Sequence, residues 1–332
     1  MATYQEIKGR TVQGLASDPP AALGAGQVWY NTATDLLKTS VGGTKVWAAG
    51  GNITTPNYHM GATGSFAAAI TCFGETVKTP STFTKVTQEY DGTAWSTVND
   101  ALTARQQVGS ADQAPQTASI MFGGTAPLGT SPDVKTTATE EYNGTSWTAG
   151  AAMNIARNAF AGGGTQTACF ATCGSGAPGA YIDDTENFNG TAWSASGNYT
   201  DDRAYLSGAG TQTAGLAMTG WDPGTTGESA TYDGATWTAA DAMGTARYDT
   251  AGSGIQTNAM CYGGSNASAA LTASEEYDGT SWTATPSLGT AYFGLGGAGT
   301  TTALAIGGYF PALVQVTQEY VGPDTVETIT ST

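Results

Sequence analysis

The sequence predicts an all-β fold: a closed propeller of six four-stranded blades, preceded by a short β extension. Three observations carry this. A short string returns six times at intervals of 43 to 52 residues. Five copies place Asp-Gly or Asn-Gly between β-forming residues, and these pairs tolerate the left-handed backbone of a tight hairpin. No repeat shows the apolar period of about 3.6 residues that a helical solenoid needs.

The string reads Glu89-Tyr90-Asp91-Gly92-Thr93-Ala94-Trp95, and its aromatic leader returns at Tyr142, Phe188, Tyr232 and Tyr277, followed by Trp147, Trp193, Trp237 and Trp282. A copy without Trp is Glu319-Tyr320-Val321-Gly322. Each string is expected to be a type I′ hairpin joining a third strand to a fourth. Upstream lie two further strand signals, as in Ala161-Gly162-Gly163-Gly164-Thr165 and in Met260-Cys261-Tyr262-Gly263-Gly264. Small residues suit inner strands converging on an axis, while Tyr and Trp suit the wider gaps between blades farther out.

Six sets of three strands begin near Tyr58, Arg105, Arg157, Arg203, Arg247 and Tyr292, yet the sixth lacks a Trp strand. A spare copy, Gly42-Gly43-Thr44-Lys45-Val46-Trp47, stands at the amino end. It is expected to close the ring by pairing with the last blade, which removes an exposed sheet edge. The alternative closing strand is 323–330. The expected organisation is an attachment or cap segment over 1–41, the propeller over 42–322 and a tail over 323–332.

Composition excludes several classes. With 11 Lys and Arg against 27 Asp and Glu, the net charge of −16 disfavours nucleic acid and anionic membranes. No apolar run approaches the roughly 20 residues of a membrane span, so no membrane insertion is expected. The first residues lack a signal-peptide pattern, and the protein is expected to be soluble as made. Cys72, Cys169, Cys173 and Cys261 are too scattered for a disulfide framework, and with the single histidine, His59, they offer no zinc set. No metal or cofactor is expected. Neither a nucleophile elbow nor a phosphate-cradling loop is present. Asp183-Asp184 and Asp201-Asp202 read as loop carboxylates, with calcium binding as the alternative. The chain is therefore expected not to be an enzyme.

A paired glycine, a downstream Tyr-Asp and then a Trp resemble the kelch repeat over residues 42 to 322, although the Tyr-to-Trp gap of five is shorter than is usual for that family. The segment Gly26-Gln27-Val28-Trp29-Tyr30-Asn31-Thr32-Ala33-Thr34 resembles a short module of phage tail-fibre and other virion proteins. The repeat wording, such as Glu141-Tyr142-Asn143-Gly144-Thr145-Ser146-Trp147, is similar to propellers of marine phages and their hosts. The resemblance implies a structural virion component (tail fibre, appendage or decoration) in a homo-oligomer or larger assembly. Its partners would be other virion proteins and host-surface glycan. The alternatives are a glycan-active hydrolase on the same scaffold and a host-encoded secreted adhesion protein.

Two sets of residues are candidate binding sites. Arg105, Arg157, Arg203 and Arg247, grouped with Tyr58 and Tyr292, open the innermost strands; as a ring they would suit carboxylate or phosphate groups of a glycan. The other reading pairs each Arg with a nearby acid such as Glu140, Glu141, Glu186, Glu275 or Glu276. The second set lies in the loops between second and third strands (78–84, 126–136, 176–184, 221–227 and 309–313). There Tyr181, Trp221, Tyr309 and Phe310 could stack on sugar rings, or pack between chains of an assembly.

Overall fold

The computed structural model describes residues 13–15, 28–33, 36–42, 45–78, 81–127, 134–177, 179–299, 302–321 and 324–328. Parts of the expected loops (79–80 and 128–133), Gly43, Thr44 and much of the amino-terminal segment lie outside them. The chain divides into two compact units, one of Met1–Val46 with Val321–Thr332 and the other of Trp47–Tyr320.

The larger unit is a six-bladed β-propeller. Blade 1 runs outward from the axis as Gly61–Ser65, Ala68–Cys72, Thr87–Tyr90 and Trp95–Thr97, all antiparallel. Blades 2 to 5 repeat this order from inner strands Gly109–Ser110, Ala161–Thr165, Ser207–Thr211 and Ala251–Ile255. Blade 6 takes Gly296–Ala298, Ala303–Ile306 and Thr317–Val321 from the carboxyl end and Val46–Ala49 from the amino end. The Trp47 strand therefore closes the ring.

Residue size follows the taper of the blades. A Cβ on Gly208 would stand 2.3 Å from the Gly162 carbonyl of the preceding blade, so no side chain fits there. Farther out, the aromatic leader and the Trp of each hairpin pack with centroids 4.6 to 5.2 Å apart, Trp47 with Tyr320 included. Each indole then donates to a hydroxyl opening the third strand of the preceding blade. The bonds are Trp95 to Thr317 (2.9 Å), Trp147 to Thr87 (2.8 Å), Trp193 to Thr139 (3.1 Å), Trp237 to Thr185 (2.9 Å), Trp282 to Ser229 (3.2 Å) and Trp47 to Ser274 (3.3 Å). A buried indole N–H needs an acceptor, and the repeat supplies one at every junction. Glutamines add a second bridge: Gln166 Nε2 donates to the Ser119 and Tyr142 carbonyls of the preceding blade, and Gln116, Gln212 and Gln256 do the same at theirs.

The hairpins differ from the expected type I′ turn. Tyr90 pairs directly with Trp95, which leaves a four-residue loop in which glycine alone is left-handed. Asp91 Oδ1 accepts the N–H groups of Thr93 and Ala94, both at 2.8 Å, and so holds the wider turn itself. These bonds hold the exposed Asp91 carboxyl below the usual range. The four cysteines are free and buried, and burial pushes Cys72 and Cys173 up to about 12.

In the smaller unit, the strand order is Gln13–Leu15, Val28–Asn31, Leu36–Gly42 and Asp324–Thr328. Asp324–Thr328, within the expected tail, is thus a strand paired antiparallel with Leu36–Gly42.

Candidate functional site

Main-chain bonds between blades fix the register of the arginine column. The carbonyls of Arg105, Arg157, Arg203, Arg247 and Tyr292 accept N–H groups from Gly74, Gly124, Gly174, Gly220 and Gly264, and Asn57 accepts from Gly308 at 2.9 Å. The column therefore begins at Asn57, one residue before Tyr58.

All four arginines are at most 2% exposed, which corrects the expectation that Arg105, Arg157, Arg203 and Arg247 form a mouth open to ligand. Arg105 pairs with Glu140 and Arg157 with Glu186, each at 3.0 Å, and Arg247 with Glu275 at 3.1 Å. Arg105 Nη1 donates to the Gly123 carbonyl, Arg157 Nη1 to that of Cys173 and Arg247 Nη2 to that of Cys261, while the Nε of each arginine is buried without a hydrogen-bond partner among the described residues. Burial lowers the Arg105 and Arg157 pKa from the ordinary value, and the partner glutamates oppose it. The same glutamates cap the chain ahead of each arginine, as where Glu186 accepts the N–H groups of Asn154 and Ile155.

The repeats vary in step. Blades 1 and 6 carry Asn57 and Tyr292 in place of Arg, and there Gln88 and Gln318 replace the glutamate but still accept from Thr54 and Gly289. Blade 4 keeps Arg203 but has Ala230 at the glutamate position, and the half-exposed Asp201 (2.8 Å) and Glu228 (2.6 Å) supply the charge. A buried carboxylate without its cation is strongly unfavourable, so the glutamate is absent wherever the arginine is.

Two residues beyond the column the chain turns left-handed in every blade. His59, Gln107, Ala159, Tyr205 and Asp249 have φ between 53° and 61°, and Gly294 has 64°. Each N–H donates to the carbonyl of its counterpart in the preceding blade. The bonds run from His59 to Gly294 (2.7 Å), Gly294 to Asp249 (2.9 Å), Asp249 to Tyr205 (3.0 Å), Tyr205 to Ala159 (2.6 Å), Ala159 to Gln107 (3.1 Å) and Gln107 back to His59 (2.8 Å). Left-handed backbone costs a non-glycine residue about 1–2 kcal/mol, and this closed cycle offsets that at one end of the axis.

The side chains of the cycle rim a cavity of about 80 Å³ floored by Met60, Val108, Phe160, Leu206 and Leu295. His59 Nε2 meets Asp249 Oδ2 at 2.9 Å and its Nδ1 meets Gln106 Oε1 at 3.3 Å. This pair reaches across Gly294, where a Cβ would lie 2.7 Å from the imidazole. Burial disfavours the charged ring, but the Asp249 carboxylate and the bonds to Asp249 and Gln106 outweigh it and hold the pKa of His59 above its ordinary value. Below lies a cavity of about 90 Å³ reaching Asp112. Asp112 occupies the position of Gly164 and Gly210 in neighbouring blades and accepts their N–H groups at 3.3 and 3.1 Å, with Gln113 Nε2 at 2.7 Å. Burial pushes its carboxyl up to about 7 against those donors.

Two aromatic clusters of the loops and first strands reach the mouth, one through Tyr205, which lines the cavity, and one through Tyr58, whose ring centre lies 4.3 Å from that of His59. Tyr248 packs edge-on between Tyr205 (5.7 Å) and Trp221 (5.1 Å). Tyr309 packs against Tyr58 (5.4 Å) and Phe293 (5.5 Å), and the Lys78 ammonium lies 4.1 Å from its ring centre. Tyr58 donates to Glu75 at 2.6 Å, and burial, then that carboxylate, raises its pKa. Burial and the Asp249 charge likewise raise that of Tyr205. Tyr181 is half-buried beside Ser175, and Phe310 is exposed. Trp221 thus connects through Tyr248 to Tyr205, and Tyr309 through Tyr58 to His59, while His59, Gln107, Tyr205 and Asp249, which the sequence does not mark as binding residues, line the mouth itself. One signal was available: the residue two beyond each arginine differs in every blade, while the position after it is apolar in five of six. Among the described residues no group of three His, Cys, Asp or Glu is placed to hold a metal ion.

No family model matches the chain. No curated protein matches it either. Among solved structures, it is similar in fold to "Structure of YjhT", with a TM-score of 0.66 and 12% identity over 84% of this chain and 99% of that one. At that identity the likeness concerns the fold alone.

Proposed function

We propose that this propeller is a non-enzymatic binding module of a bacteriophage virion, holding host-surface glycan or a neighbouring virion protein on its loop face. The observation that carries the binding role is the concave mouth lined by Tyr205, with the half-buried rings of Tyr248 and Trp221 packed in sequence against it. Aromatic faces held by a rigid scaffold suit sugar rings and protein contacts alike. Assignment to a virion rests on the tail-fibre-like wording of the amino-terminal segment and of the repeat. A binding rather than catalytic role agrees with His59, whose two ring nitrogens already face Asp249 and Gln106 and so leave none to serve as a base. The test is the presence of the chain in purified virions, joined to binding of the intact protein to host envelope. Loss of binding in Trp221→Ala with Tyr309→Ala is expected; release of sugars from the envelope would sink the non-enzymatic reading.

A further inference from the structure

We infer that the axial mouth is a binding site for an uncharged saccharide, whose hydroxyl groups bond to Asp249 and Gln107 while Tyr205, Tyr248 and Trp221 pack on its ring. This rests on the proposed glycan-binding role and names both the place and the class of sugar. Three observations lead to it. The mouth is a ring of positions where all six blades differ in sequence, so its chemistry is not demanded by the repeat.

The hydrogen-bonding groups suit hydroxyls. A carboxylate accepts at about four lone-pair sites, and the His59 N–H fills one on Asp249. The Gln107 amide oxygen accepts from Asn158 Nδ2 at 2.6 Å, and its NH₂ group donates to the Tyr205 hydroxyl, which leaves one N–H for a ligand. His59, clamped by Asp249 and Gln106, is a positioning residue that sets the orientation of Asp249. Phe160, Leu206 and Leu295 beneath give the apolar floor that a C–H face of a pyranose prefers.

The charge balance selects against an acidic sugar. The four guanidinium groups are buried and paired within the protein, so none is offered to a ligand. The His59 ring faces the Asp249 carboxylate, and Glu75 adds a further negative charge close enough to be felt at His59. The Lys78 cation lies over the Tyr58, Phe293 and Tyr309 rings, not over those of Tyr205, Tyr248 or Trp221, so a ligand carboxylate seated on these would face Asp249 in a poorly solvated mouth.

The test uses the intact protein on immobilised galactose-, N-acetylglucosamine- and glucuronate-terminated saccharides, followed by calorimetric titration of the best binder. The variants are Asp249→Asn, Gln107→Ala and Trp221→Ala, each checked by thermal melting. The expected result is binding of a neutral sugar that weakens at least 10-fold in Asp249→Asn and in Gln107→Ala while both stay folded; should Asp249→Asn not fold, Gln107→Ala decides. Binding of the glucuronate ligand alone, or neutral binding lost in Trp221→Ala but unchanged in Gln107→Ala, overturns this inference and leaves the binding role standing. Binding of no saccharide overturns the glycan reading as well.

Discussion

The indole of Trp47 donates to Ser274 Oγ across 227 residues of sequence, in the same relation as Trp95, Trp147, Trp193, Trp237 and Trp282 to the third strands of their preceding blades. Its ring also packs against Tyr262 (4.9 Å) and Tyr320 (5.2 Å), so one side chain joins the amino-terminal strand to blades 5 and 6. Trp47→Ala is expected to cost about 2–4 kcal/mol, the lower part of the buried-aromatic range because the ring is half-buried. Trp47→Phe should retain most of the packing. Urea unfolding of both variants measures this, and an effect below 1 kcal/mol for the alanine would show that closure depends on main-chain pairing alone.

The linked change of arginine and glutamate predicts a compensation. Arg157→Asn leaves Glu186 charged and buried, and should destabilise by about 3–5 kcal/mol. Adding Glu186→Gln recreates the pair that blade 1 has at Asn57 and Gln88, and should recover more than 1 kcal/mol. A double-mutant cycle reads the coupling directly; simple additivity would refute it.

At the mouth, Gly294→Ala puts a Cβ on left-handed backbone and against His59. A loss of about 1–3 kcal/mol is expected. In hydrogen exchange, the amides of His59, Gln107, Ala159, Tyr205 and Asp249 should be slow in the parent despite their partial exposure, and all should quicken together in the variant.

Two buried groups give the protein a pH dependence of one sign. Asp112 has a folded pKa of about 7, above its unfolded value near 4. Its protonated form is favoured by folding, so the stability it contributes is full below pH 4 and is lost as pH rises towards 7. His59 is also raised, and its contribution is full below about pH 6.5 and is lost above that. The parent should therefore lose more melting temperature between pH 5 and 8 than Asp112→Asn does. Equal losses in the two would show that Asp112 is ionised throughout the range. His59→Gln should remove the part of the slope above pH 6.5.

The periodic features were legible in the sequence because they are local: the Tyr-to-Trp spacing, the glycines of the inner strands and the spare strand at Trp47 each repeat a pattern visible in one blade. Register was harder. Tyr58 was grouped with the arginines because it is the bulky residue nearest their spacing, whereas the bond from Gly308 places Asn57 there. The fate of three guanidinium groups depends on glutamates 28 to 35 residues away, and two such acids stand side by side in Glu140-Glu141 and Glu275-Glu276. Only strand register shows which of each pair turns inward. The mouth was hidden for a different reason: residues 59, 107, 205 and 249 meet only once the ring is closed.

The cycle of amides at the axis also bears on how the molecule assembles. Each N–H points to the preceding blade, so the cycle has no first or last member. A chain stopped after five blades would keep its local hairpins but present an unmatched donor at one end of the arc and an unmatched acceptor at the other. Such groups are costly once water is excluded. Intermediates with a partial ring are therefore poor in free energy even though every blade is built from short-range pairings, and folding becomes cooperative at the moment the two ends of the chain meet.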